Sequence, residues 1–339
     1  MTRAFICGCG GPELTDEEIG FLKEAAPWGL ILFSRNIETP DQVRALIADF
    51  RAAVGWQAPV MVDQEGGRVQ RLNPPHWRTY PPAARFGVLH ERDEEAAEEA
   101  ARLNARLIGQ DLARLGITID CLPLLDLRLP ETHSVIGDRA YHAEPRRVAA
   151  LGRASCEGLL ASGVAPVLKH IPGHGRATAD SHLELPVVEA DAGTLRTEDF
   201  EPFRRLADMP VAMTAHIVYK SLDPKRPATL SAAIINGVIR GDIGFDGLLM
   251  SDDLSMGALE GTMRARADAL FQAGCDMALH CNGRLDQMAA VAAAAPALAG
   301  DAARRADAAL ARIGGAAGID EDDAWERLSS LLETGPARI

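Results

Sequence analysis

Short apolar runs alternate with amphipathic segments along most of the chain. Eight of the runs are too short for helices and are bounded by Gly, Pro or polar residues, which predicts buried strands. The predicted strands are Ala4–Cys7, Trp28–Phe33, Val60–Val62, Ile117–Cys121, Ala165–Leu168, Val211–Thr214, Gly247–Met250 and Asp276–Leu279. The predicted helices are Thr15–Ala25, Pro40–Val54, Asp93–Leu115, Pro145–Ser162, Arg196–Ala207, Ser231–Arg240 and Met263–Ala273.

Strands that alternate with helices in this way indicate parallel βαβ units. Eight such units predict an α/β fold, a single (β/α)8 TIM-type barrel spanning residues 1–339 and closed by helices in Asp301–Ile339. The alternation alone leaves a doubly wound sheet open. Polar residues directly after most strands favour the barrel, since strand ends converge at one mouth. They are Asp63-Gln64-Glu65, Asp126, Lys169-His170, His216, Asp252-Asp253 and the segment His280–Asn282.

Charge and cysteine content narrow the classes of partner. Forty-eight acidic against 35 basic residues give a net charge of −13, which disfavours nucleic acid and anionic membranes as partners. Six cysteines without a CxxC pair are too few for a disulfide scaffold. The sequence shows neither a signal-peptide core nor an apolar run long enough to span a bilayer. We therefore expect a cytoplasmic protein, a monomer that needs no cofactor and takes a small-molecule substrate.

The densest group of chemically active residues is the segment Lys169–Gly175, KHIPGHG, followed by Asp180-Ser181-His182. Pro and Gly inside it exclude a continuing helix, so a strand end should open here into a loop. In one interpretation His170, His174, His182 and Asp180 bind a metal, but two histidines four residues apart share a ligating face only on a helix. In the favoured interpretation Asp180 orients His182, which acts as a general acid and base.

Two other segments carry carboxylates. Asp252 and Asp253 end a predicted buried strand, where unpaired acids are costly; capping of the next helix by Asp253 or Ser255 would explain only one of them. The segment Val62–Arg71 places Gly66-Gly67 among acids and arginines, which predicts a tight turn that presents polar side chains. That signal, like Gly137-Asp138-Arg139, is weak by itself, and no phosphate-loop motif accompanies it.

Taken together these segments resemble glycoside hydrolase family 3, in particular its bacterial β-N-acetylhexosaminidases of the single-domain type. The matching segments are WGLILFSRN, DQEGGRVQRL, IGDRAYH, KHIPGHGRATADSHLELP, MTAHIVY and LLMSDDLSMGAL, spread over residues 28–285. One departure is Ile171, where the family usually has Phe. This apolar exchange should affect packing rather than chemistry.

The resemblance implies a retaining mechanism on a (β/α)8 barrel, with Asp252 as the nucleophile. It implies His182 as the general acid and base, with Asp180 as its partner, and a loop that closes to bring His182 to the scissile bond. Asp63, Arg71, Arg139, Lys169 and His170 match positions that bind the sugar hydroxyls. His216 and Met256 are further candidates for the same pocket. A retaining glycosidase needs a carboxylate nucleophile and a group that first donates and then accepts a proton, and these residues meet that need.

The expected activity is that of an exo-β-N-acetylglucosaminidase releasing terminal N-acetylglucosamine from muropeptide fragments, GlcNAc-1,6-anhydroMurNAc with or without peptide, in peptidoglycan recycling. A β-glucosidase of the same family is a rival hypothesis, although those enzymes generally carry a second domain for which this chain is too short. Two further hypotheses are a metal-dependent hydrolase that uses the histidine cluster and a sugar-binding module without turnover.

Overall fold

Eight parallel strands close into a barrel at the centre of the computed structural model, which describes residues 1–181, 183–315 and 318–333. The barrel strands are β1 (Arg3–Cys7), β2 (Pro27–Leu32), β3 (Val60–Val62), β6 (Ile119–Asp120), β7 (Ala165–Ile171), β9 (Val211–Thr214), β11 (Leu248–Asp253) and β12 (Met277–His280). Their order around the barrel is β1-β12-β11-β9-β7-β6-β3-β2. Two small extra sheets pair β4 (Gln64–Gly66) with β5 (Val69–Gln70) and β8 (Val187–Val188) with β10 (Val218–Tyr219).

Helices follow every barrel strand and pack around the outside. The α-helices are α1 (Asp16–Ala25), α2 (Pro40–Val54), α3 (Ala83–His90), α4 (Glu94–Leu115), α5 (Pro145–Ala161), α6 (Ala192–Thr197), α7 (Glu201–Arg205), α8 (Met263–Ala273), α9 (Leu285–Ala294), α10 (Gly300–Leu310) and α11 (Glu321–Glu333). A helix with π-type hydrogen bonds spans Ala233–Asp242, and 3-10 turns span Ser34–Asn36, Gly137–Arg139 and Ala228–Leu230. The predicted (β/α)8 barrel is confirmed.

The apolar residues of the strands divide between two cores. In β1, Ile6 joins the side chains that fill the barrel, whereas Phe5 and Cys7 face the surrounding helices. This alternation follows from the two-residue period of a strand, and it explains why the strands read as continuous apolar runs. All six cysteines are free and buried, in agreement with the prediction that they pack as small hydrophobes.

One predicted helix is wrong. The segment 196–207 forms two short helices, α6 and α7, instead of one. Pro202 stands in the first turn of α7, where its missing N–H is tolerated. Inside one continuous helix it could not donate to the carbonyl oxygen of Glu198, so the helix is interrupted before it. The helix predicted at Ser231–Arg240 begins two residues later and has π-type hydrogen bonds.

Two strands extend further than their apolar runs. β7 continues to Ile171 because Lys169 and Ile171 pair with Met213 and Thr214 of β9. β11 continues to Asp253, which pairs with Leu279 of β12. The polar residues that the sequence places after these strands therefore lie within their last residues, on rigid backbone. The described part of the chain contains no helix long and apolar enough to cross a membrane.

Helices α4 and α5 pack so closely that one position allows no side chain. A Cβ atom on Gly158 would lie 2.3 Å from the carbonyl oxygen of Arg102 and 2.9 Å from the amide nitrogen of Arg106, both in α4. Backbone atoms cannot move aside as a flexible side chain can. Gly158 therefore determines how near the two helices approach.

We predict that Gly158→Ala lowers the free energy of unfolding by about 1–3 kcal/mol, because α4 and α5 must separate. Gly20 of α1 is the matched control, since it is exposed and a Cβ added to it would meet no atom within 4 Å. Gly20→Ala should raise stability by about 0.5–1 kcal/mol through helix propensity alone. Urea unfolding measures both variants, and equal shifts in the same direction would contradict this account of the helix contact.

Candidate active site

The carboxyl ends of the barrel strands surround a cavity of about 390 Å³. Six of the predicted site residues line it: Asp63, Arg71, Arg139, Lys169, His170 and Asp252. Asp180 is half-buried and does not line this cavity, although the neighbouring Ser181 does. His182 lies outside the described residues. The cavity therefore brings together side chains that are up to 189 positions apart in the chain (Asp63 and Asp252).

A buried ammonium group holds the floor of the cavity together. Lys169 Nζ lies 2.9 Å from Asp63 Oδ1 and 2.6 Å from Glu65 Oε1, with 2% of its side chain exposed. Burial alone would lower the pKa of Lys169, but the attraction of Asp63 and Glu65 outweighs it and raises the pKa. The lysine is therefore charged at pH 7. Two of its three N–H groups are directed at these carboxylates, which leaves one for a ligand.

The two carboxylates are held by arginines as well. Arg139 donates from Nε and Nη2 to the two oxygens of Glu65, both at 2.8 Å, and Arg71 Nη2 lies 3.1 Å from Asp63 Oδ2. Burial alone would raise the pKa of Glu65, but Arg139 and Lys169 lower it to about 2. Lys169 and Arg71 likewise hold the pKa of Asp63 below its usual range against the effect of burial. Both acids are therefore ionised acceptors for hydroxyl groups.

Glu65 was not among the predicted site residues, although it lies in the segment the sequence singled out. Its side chain is 4% exposed and forms the link between Lys169 and Arg139. Alternation along the strand could not identify it, because β4 belongs to a hairpin that projects beyond the barrel. The sequence signal that could have identified Glu65 is its position among the polar residues that directly follow β3.

The β4–β5 hairpin is the tight turn that the two glycines predict. Gly66 and Gly67 have φ of 89° and 57°, which residues with a Cβ rarely adopt. A Cβ on Gly66 would lie 2.5 Å from the carbonyl oxygen of Pro81. Gln64 is fully buried, and its side-chain oxygen accepts hydrogen bonds from the amides of Arg71 and Leu72. The turn thus fixes where Arg71 enters the cavity.

Asp126 organises the other side of the cavity and was also missed as a site residue. It is fully buried, and its Oδ2 lies 2.7 Å from His170 Nδ1. Its Oδ1 accepts from the amide of His174 at 2.6 Å and from the amide of His170 at 3.2 Å. Burial would raise the pKa of Asp126, but the attraction of His170 and its hydrogen bonds lower it. The carboxylate therefore accepts the Nδ1 proton and orients the ring of His170.

The oriented His170 faces the candidate nucleophile. Its Nε2 lies 4.0 Å from Asp252 Oδ2, and 18% of the Asp252 side chain is exposed to the cavity. The next residue, Asp253, is used differently. Its oxygens accept hydrogen bonds from the amides of Ser255 and Cys281 and from the Ser255 hydroxyl.

Asp253 therefore has a structural role of a different kind from the predicted cap. The helix that follows, α8, is capped by Thr262 instead, whose side chain accepts from the amide of Ala265. Asp253 fixes the turn after β11 and joins it to β12. Of the two adjacent acids, Asp252 is the one whose side chain faces His170.

The ring of His174 packs against that of His170. The two rings are 5.5 Å apart between centroids and are arranged edge to face. Burial, together with repulsion from His170, lowers the pKa of His174 to about 4, so the ring is neutral at pH 7. Its Nε2 lies 3.3 Å from the hydroxyl oxygen of Ser181. Within the described ranges no three His, Cys, Asp or Glu side chains are grouped as metal ligands.

His216 does not line the cavity, contrary to expectation, whereas Met256 does. His216 is fully buried, and its Nε2 donates to the carbonyl oxygen of Asp253 at 3.0 Å. Burial lowers its pKa, and its Nδ1 lies 2.7 Å from the hydroxyl oxygen of Thr229, which donates to the carbonyl oxygen of Ala215. Through this hydrogen bond to Asp253, His216 stabilises the backbone next to Asp252 without lining the cavity.

The segment after β7 is anchored at its base. Gly175 packs so closely that a Cβ would lie 2.4 Å from the carbonyl oxygen of Leu127. Arg176 Nε donates to Asp199 Oδ2 at 2.6 Å, and the Tyr219 hydroxyl donates to the Gly173 carbonyl at 2.6 Å. Further along, the carbonyl oxygen of Asp180 accepts hydrogen bonds from the amides of Leu183 and Glu184. These contacts hold both sides of the segment that bears the predicted acid–base pair.

A closed parallel barrel with an oriented histidine, a carboxylate facing it and a floor of fixed charges defines a barrel enzyme for a small polar ligand. The sequence matches the glycosyl hydrolase family 3 N-terminal domain over residues 12–315. It is 39% identical over 276 residues to a β-hexosaminidase of Bordetella avium (strain 197N), covering 80% of this chain and 78% of that protein. A β-hexosaminidase of Pseudomonas aeruginosa (strain PAO1) is 39% identical over 296 residues, with 86% of each chain covered.

Among solved structures, NagZ from Neisseria gonorrhoeae in complex with N-trifluoroacetyl-D-glucosamine has a TM-score of 0.88 and 32% identity, with 98% of each chain covered. The chain belongs to glycosyl hydrolase family 3. This finding confirms the resemblance drawn from the sequence motifs, as well as the prediction of a glycoside hydrolase.

We predict that Glu65→Gln lowers the free energy of unfolding at pH 7. We also expect that free energy to depend less on pH in the variant than in the wild type. The folded-state pKa of Glu65 is about 2, against an ordinary value of 4.5. Its carboxylate therefore stabilises the fold fully above pH 4.5, and that contribution is lost as the pH falls from 4.5 towards 2. This lowering of the pKa, from 4.5 to about 2, corresponds to about 3 kcal/mol in the free energy of unfolding.

Urea unfolding at pH 7, 4.5 and 3 measures this effect as the difference in stability between the wild type and Glu65→Gln. The difference should shrink at the lowest pH. Glu157→Gln is the matched control, since its exposed pair with Arg102 should contribute only about 0–1 kcal/mol. A difference between wild type and Glu65→Gln that does not change with pH would contradict the ionised state assigned to Glu65.

Proposed function

We propose that this protein is a retaining exo-β-N-acetylglucosaminidase that releases terminal N-acetylglucosamine from muropeptide fragments in the cytoplasm, through a covalent glycosyl-enzyme. Family membership and 39% identity to curated β-hexosaminidases over four fifths of the chain make it a glycoside hydrolase of the β-N-acetylhexosaminidase class. The observation that carries the finer proposal is the placement of Asp252 opposite the oriented imidazole of His170, above a floor of ionised hydrogen-bonding groups.

The floor suits a neutral, polyhydroxylated ring. Asp63 offers carboxylate oxygens, Lys169 offers an N–H, and Arg71 and Arg139 offer guanidinium N–H groups, all held in place by one another. A sugar hydroxyl can donate to one and accept from another at the same time. Because the groups are fixed before the ligand arrives, little side-chain entropy is lost on binding. We assign Asp63, Arg71, Arg139, Lys169 and His170 to the terminal sugar.

Asp252 is the proposed nucleophile. In the first step its carboxylate forms a bond to the anomeric carbon while the bond from that carbon to the leaving oxygen breaks. The charged ring of a glycosidase transition state is stabilised by a carboxylate at this position. His170, oriented by Asp126, lies 4.0 Å from Asp252 Oδ2 and contributes to holding that carboxylate and the sugar in register.

His182 is the proposed acid and base, and Asp180 orients it. In the first step its imidazolium gives a proton to the leaving oxygen, which departs as an alcohol. In the second step the neutral imidazole takes a proton from water, whose oxygen attacks the anomeric carbon and releases Asp252. His182 must reach the leaving oxygen, so we propose that the segment that carries this pair closes over the bound sugar as part of the cycle. The contacts of Gly175 and Arg176 hold the base of that segment in place.

The substrate and setting complete the proposal. A NagZ from Neisseria gonorrhoeae, which this chain resembles over nearly its full length, was solved in complex with N-trifluoroacetyl-D-glucosamine. This supports N-acetylglucosamine as the terminal sugar. We propose GlcNAc-1,6-anhydroMurNAc, with or without its peptide, as the natural substrate in peptidoglycan recycling, acted on by a monomeric enzyme without a cofactor.

We predict that the wild type hydrolyses p-nitrophenyl N-acetyl-β-D-glucosaminide but not the matching β-glucoside, and that Asp252→Ala lowers kcat at least about 1,000-fold because the nucleophile is lost. NMR should show the β-anomer of N-acetylglucosamine as the first product. Asp253→Asn is the adjacent control, and it should lower Tm while keeping most of kcat.

Different outcomes of the same assay distinguish the rival functions. Turnover of the β-glucoside would favour a β-glucosidase, and tight sugar binding without turnover would favour a binding module. If the protein contains stoichiometric zinc, and a chelator removes both the zinc and the activity, a metal-dependent hydrolase would be favoured. Full activity in a folded Asp252→Ala variant, or the α-anomer as first product, would refute the retaining mechanism proposed for Asp252.

We predict that His182→Ala and Asp180→Asn slow a natural disaccharide by about 100–10,000-fold, the usual contribution of general acid catalysis. The loss should be smaller with the p-nitrophenyl glycoside, because nitrophenolate leaves without needing a proton. Circular dichroism and Tm should match the wild type. A folded His182→Ala variant that cleaves both substrates as fast as the wild type would refute the role of His182 as acid and base.

A further inference from the structure

Ser181 stands between the two members of the proposed acid–base pair, Asp180 and His182. It is buried and lines the cavity, although its surroundings in the chain are more open. Asp180 is half-buried, and Leu183 is 80% exposed. A buried polar residue in an open segment needs hydrogen-bond partners for its hydroxyl group and its backbone. The structure provides a partner for each.

The hydroxyl group of Ser181 bonds to the ring of His174. Its oxygen lies 3.3 Å from His174 Nε2, and both side chains are buried. The other ring nitrogen, Nδ1, has no hydrogen-bond partner among the described residues, so Ser181 is the one partner that the ring has there. Either tautomer of the neutral ring makes this bond, because Nε2 can donate to a hydroxyl group or accept from it.

His174 is itself fixed in place. Its amide donates to Asp126 Oδ1 at 2.6 Å, and its ring packs edge to face against the ring of His170. The other oxygen of Asp126 lies 2.7 Å from His170 Nδ1. One buried carboxylate therefore holds both histidines, and it sets the position of His174 Nε2 relative to the ring that faces Asp252.

The backbone of Ser181 is tied to a different part of the cavity mouth. Its carbonyl oxygen accepts from the amide of Ala258 at 3.2 Å. Ala258 lies in the turn after β11, the strand that bears Asp252. Arg266 Nη1 supports this turn by donating to the carbonyl oxygen of Met256 at 3.1 Å. Ser181 thus joins the segment after β7 to the turn after β11.

We propose that Ser181 and His174 are positioning residues for the acid–base step. Their hydrogen bond fixes the segment that bears Asp180 and His182 at the cavity. The inference rests on the proposed function and adds to it the pair that places its acid and base. A general acid must come within about 2.6–3.2 Å of the oxygen that it protonates. A shift of about 1 Å in this segment therefore slows the step strongly.

The experiment compares two substrates whose leaving oxygens differ in their need for a proton. They are p-nitrophenyl and phenyl N-acetyl-β-D-glucosaminide, which differ only in the nitro group. The readout is the ratio of their kcat/KM values, p-nitrophenyl over phenyl, because this ratio reports the step in which the acid acts. A variant that is merely less stable, or that binds the sugar less well, loses rate on both substrates and keeps the ratio.

Ser181→Ala should raise this ratio at least about tenfold, because the phenyl glycoside loses part of the roughly 100–10,000-fold contribution of acid catalysis and the p-nitrophenyl glycoside loses little. Ser181→Thr keeps the hydroxyl group and should stay within about threefold of the wild-type ratio. Ser255→Ala is the matched control. It removes a hydroxyl group that bonds to Asp253 in the turn after β11, and it should leave the ratio unchanged.

His174→Asn tests the partner of the hydroxyl group. The shorter side chain cannot reach Ser181, so this variant should raise the ratio as Ser181→Ala does. The double variant should raise it no further, because both changes remove the same bond. Effects that multiply in the double variant would show that the two residues act separately, and would overturn the proposed pair.

An unchanged ratio in Ser181→Ala would overturn the inference, whether or not both rates fall together. His182→Ala serves as the reference and should raise the ratio itself. An unchanged ratio in that variant would refute the acid role proposed for His182, and this inference with it. Failure of the wild type to cleave either glycoside would refute the proposed function.

Discussion

The buried ammonium group of Lys169 is the interaction on which the mouth of the barrel depends. It lies between Asp63 and Glu65, which come from the chain after β3, and it belongs to β7 on the other side of β6. Arg71 and Arg139 extend this network to the β4–β5 hairpin and to a 3-10 turn. A buried charge without its partners costs several kcal/mol, so each of these groups requires the others. Three separate pieces of chain, residues 63–71, strand β7 and the 3-10 turn, are thereby held in one arrangement.

The same ion pairs also fix the directions of the polar groups on the cavity floor. Buried ion pairs add little net stability compared with apolar packing, because removing charges from water costs about as much as their attraction returns. Here the ion pairs fix the orientation of the side chains that form them. The hydrogen-bond donors and acceptors of these side chains line a cavity of about 390 Å³. Such preorganised polar groups favour a neutral ligand rich in hydroxyls, whose own donors and acceptors replace water one for one.

Asp126 has a comparable role in the wall beside the proposed nucleophile, Asp252. One buried carboxylate accepts from the ring of His170 and from the amides of His170 and His174, and so sets both the orientation of the imidazole and the path of the chain that leaves β7. Asp253 has a comparable role after β11, while its neighbour Asp252 faces the cavity. In both places a structural carboxylate supports a residue that lines the cavity.

The eight strands and the barrel were predictable from the sequence because each strand is buried on both faces and reads as a short apolar run. Helix boundaries followed from local signals, such as Asp93 and Gly116 at the two ends of α4. The predicted helix at 196–207 was wrong because Pro202 occupies the first turn of a second, short helix. Asp63, Lys169, His170 and Asp252 were noticed because they stand at strand ends, whereas Arg71 and Arg139 were proposed only through the resemblance to the family.

By itself, then, the sequence determined the strands, the barrel and most of the residues at its mouth, because burial and strand-end position leave a local record. The pairing of those residues was decided only by the tertiary structure. Glu65 and Asp126 are ordinary acids in the sequence, and their roles come from Arg139, Lys169 and His170, which lie 44 to 104 positions away. Attraction between charges depends on distance in space, and the chain brings these groups together only when the barrel closes.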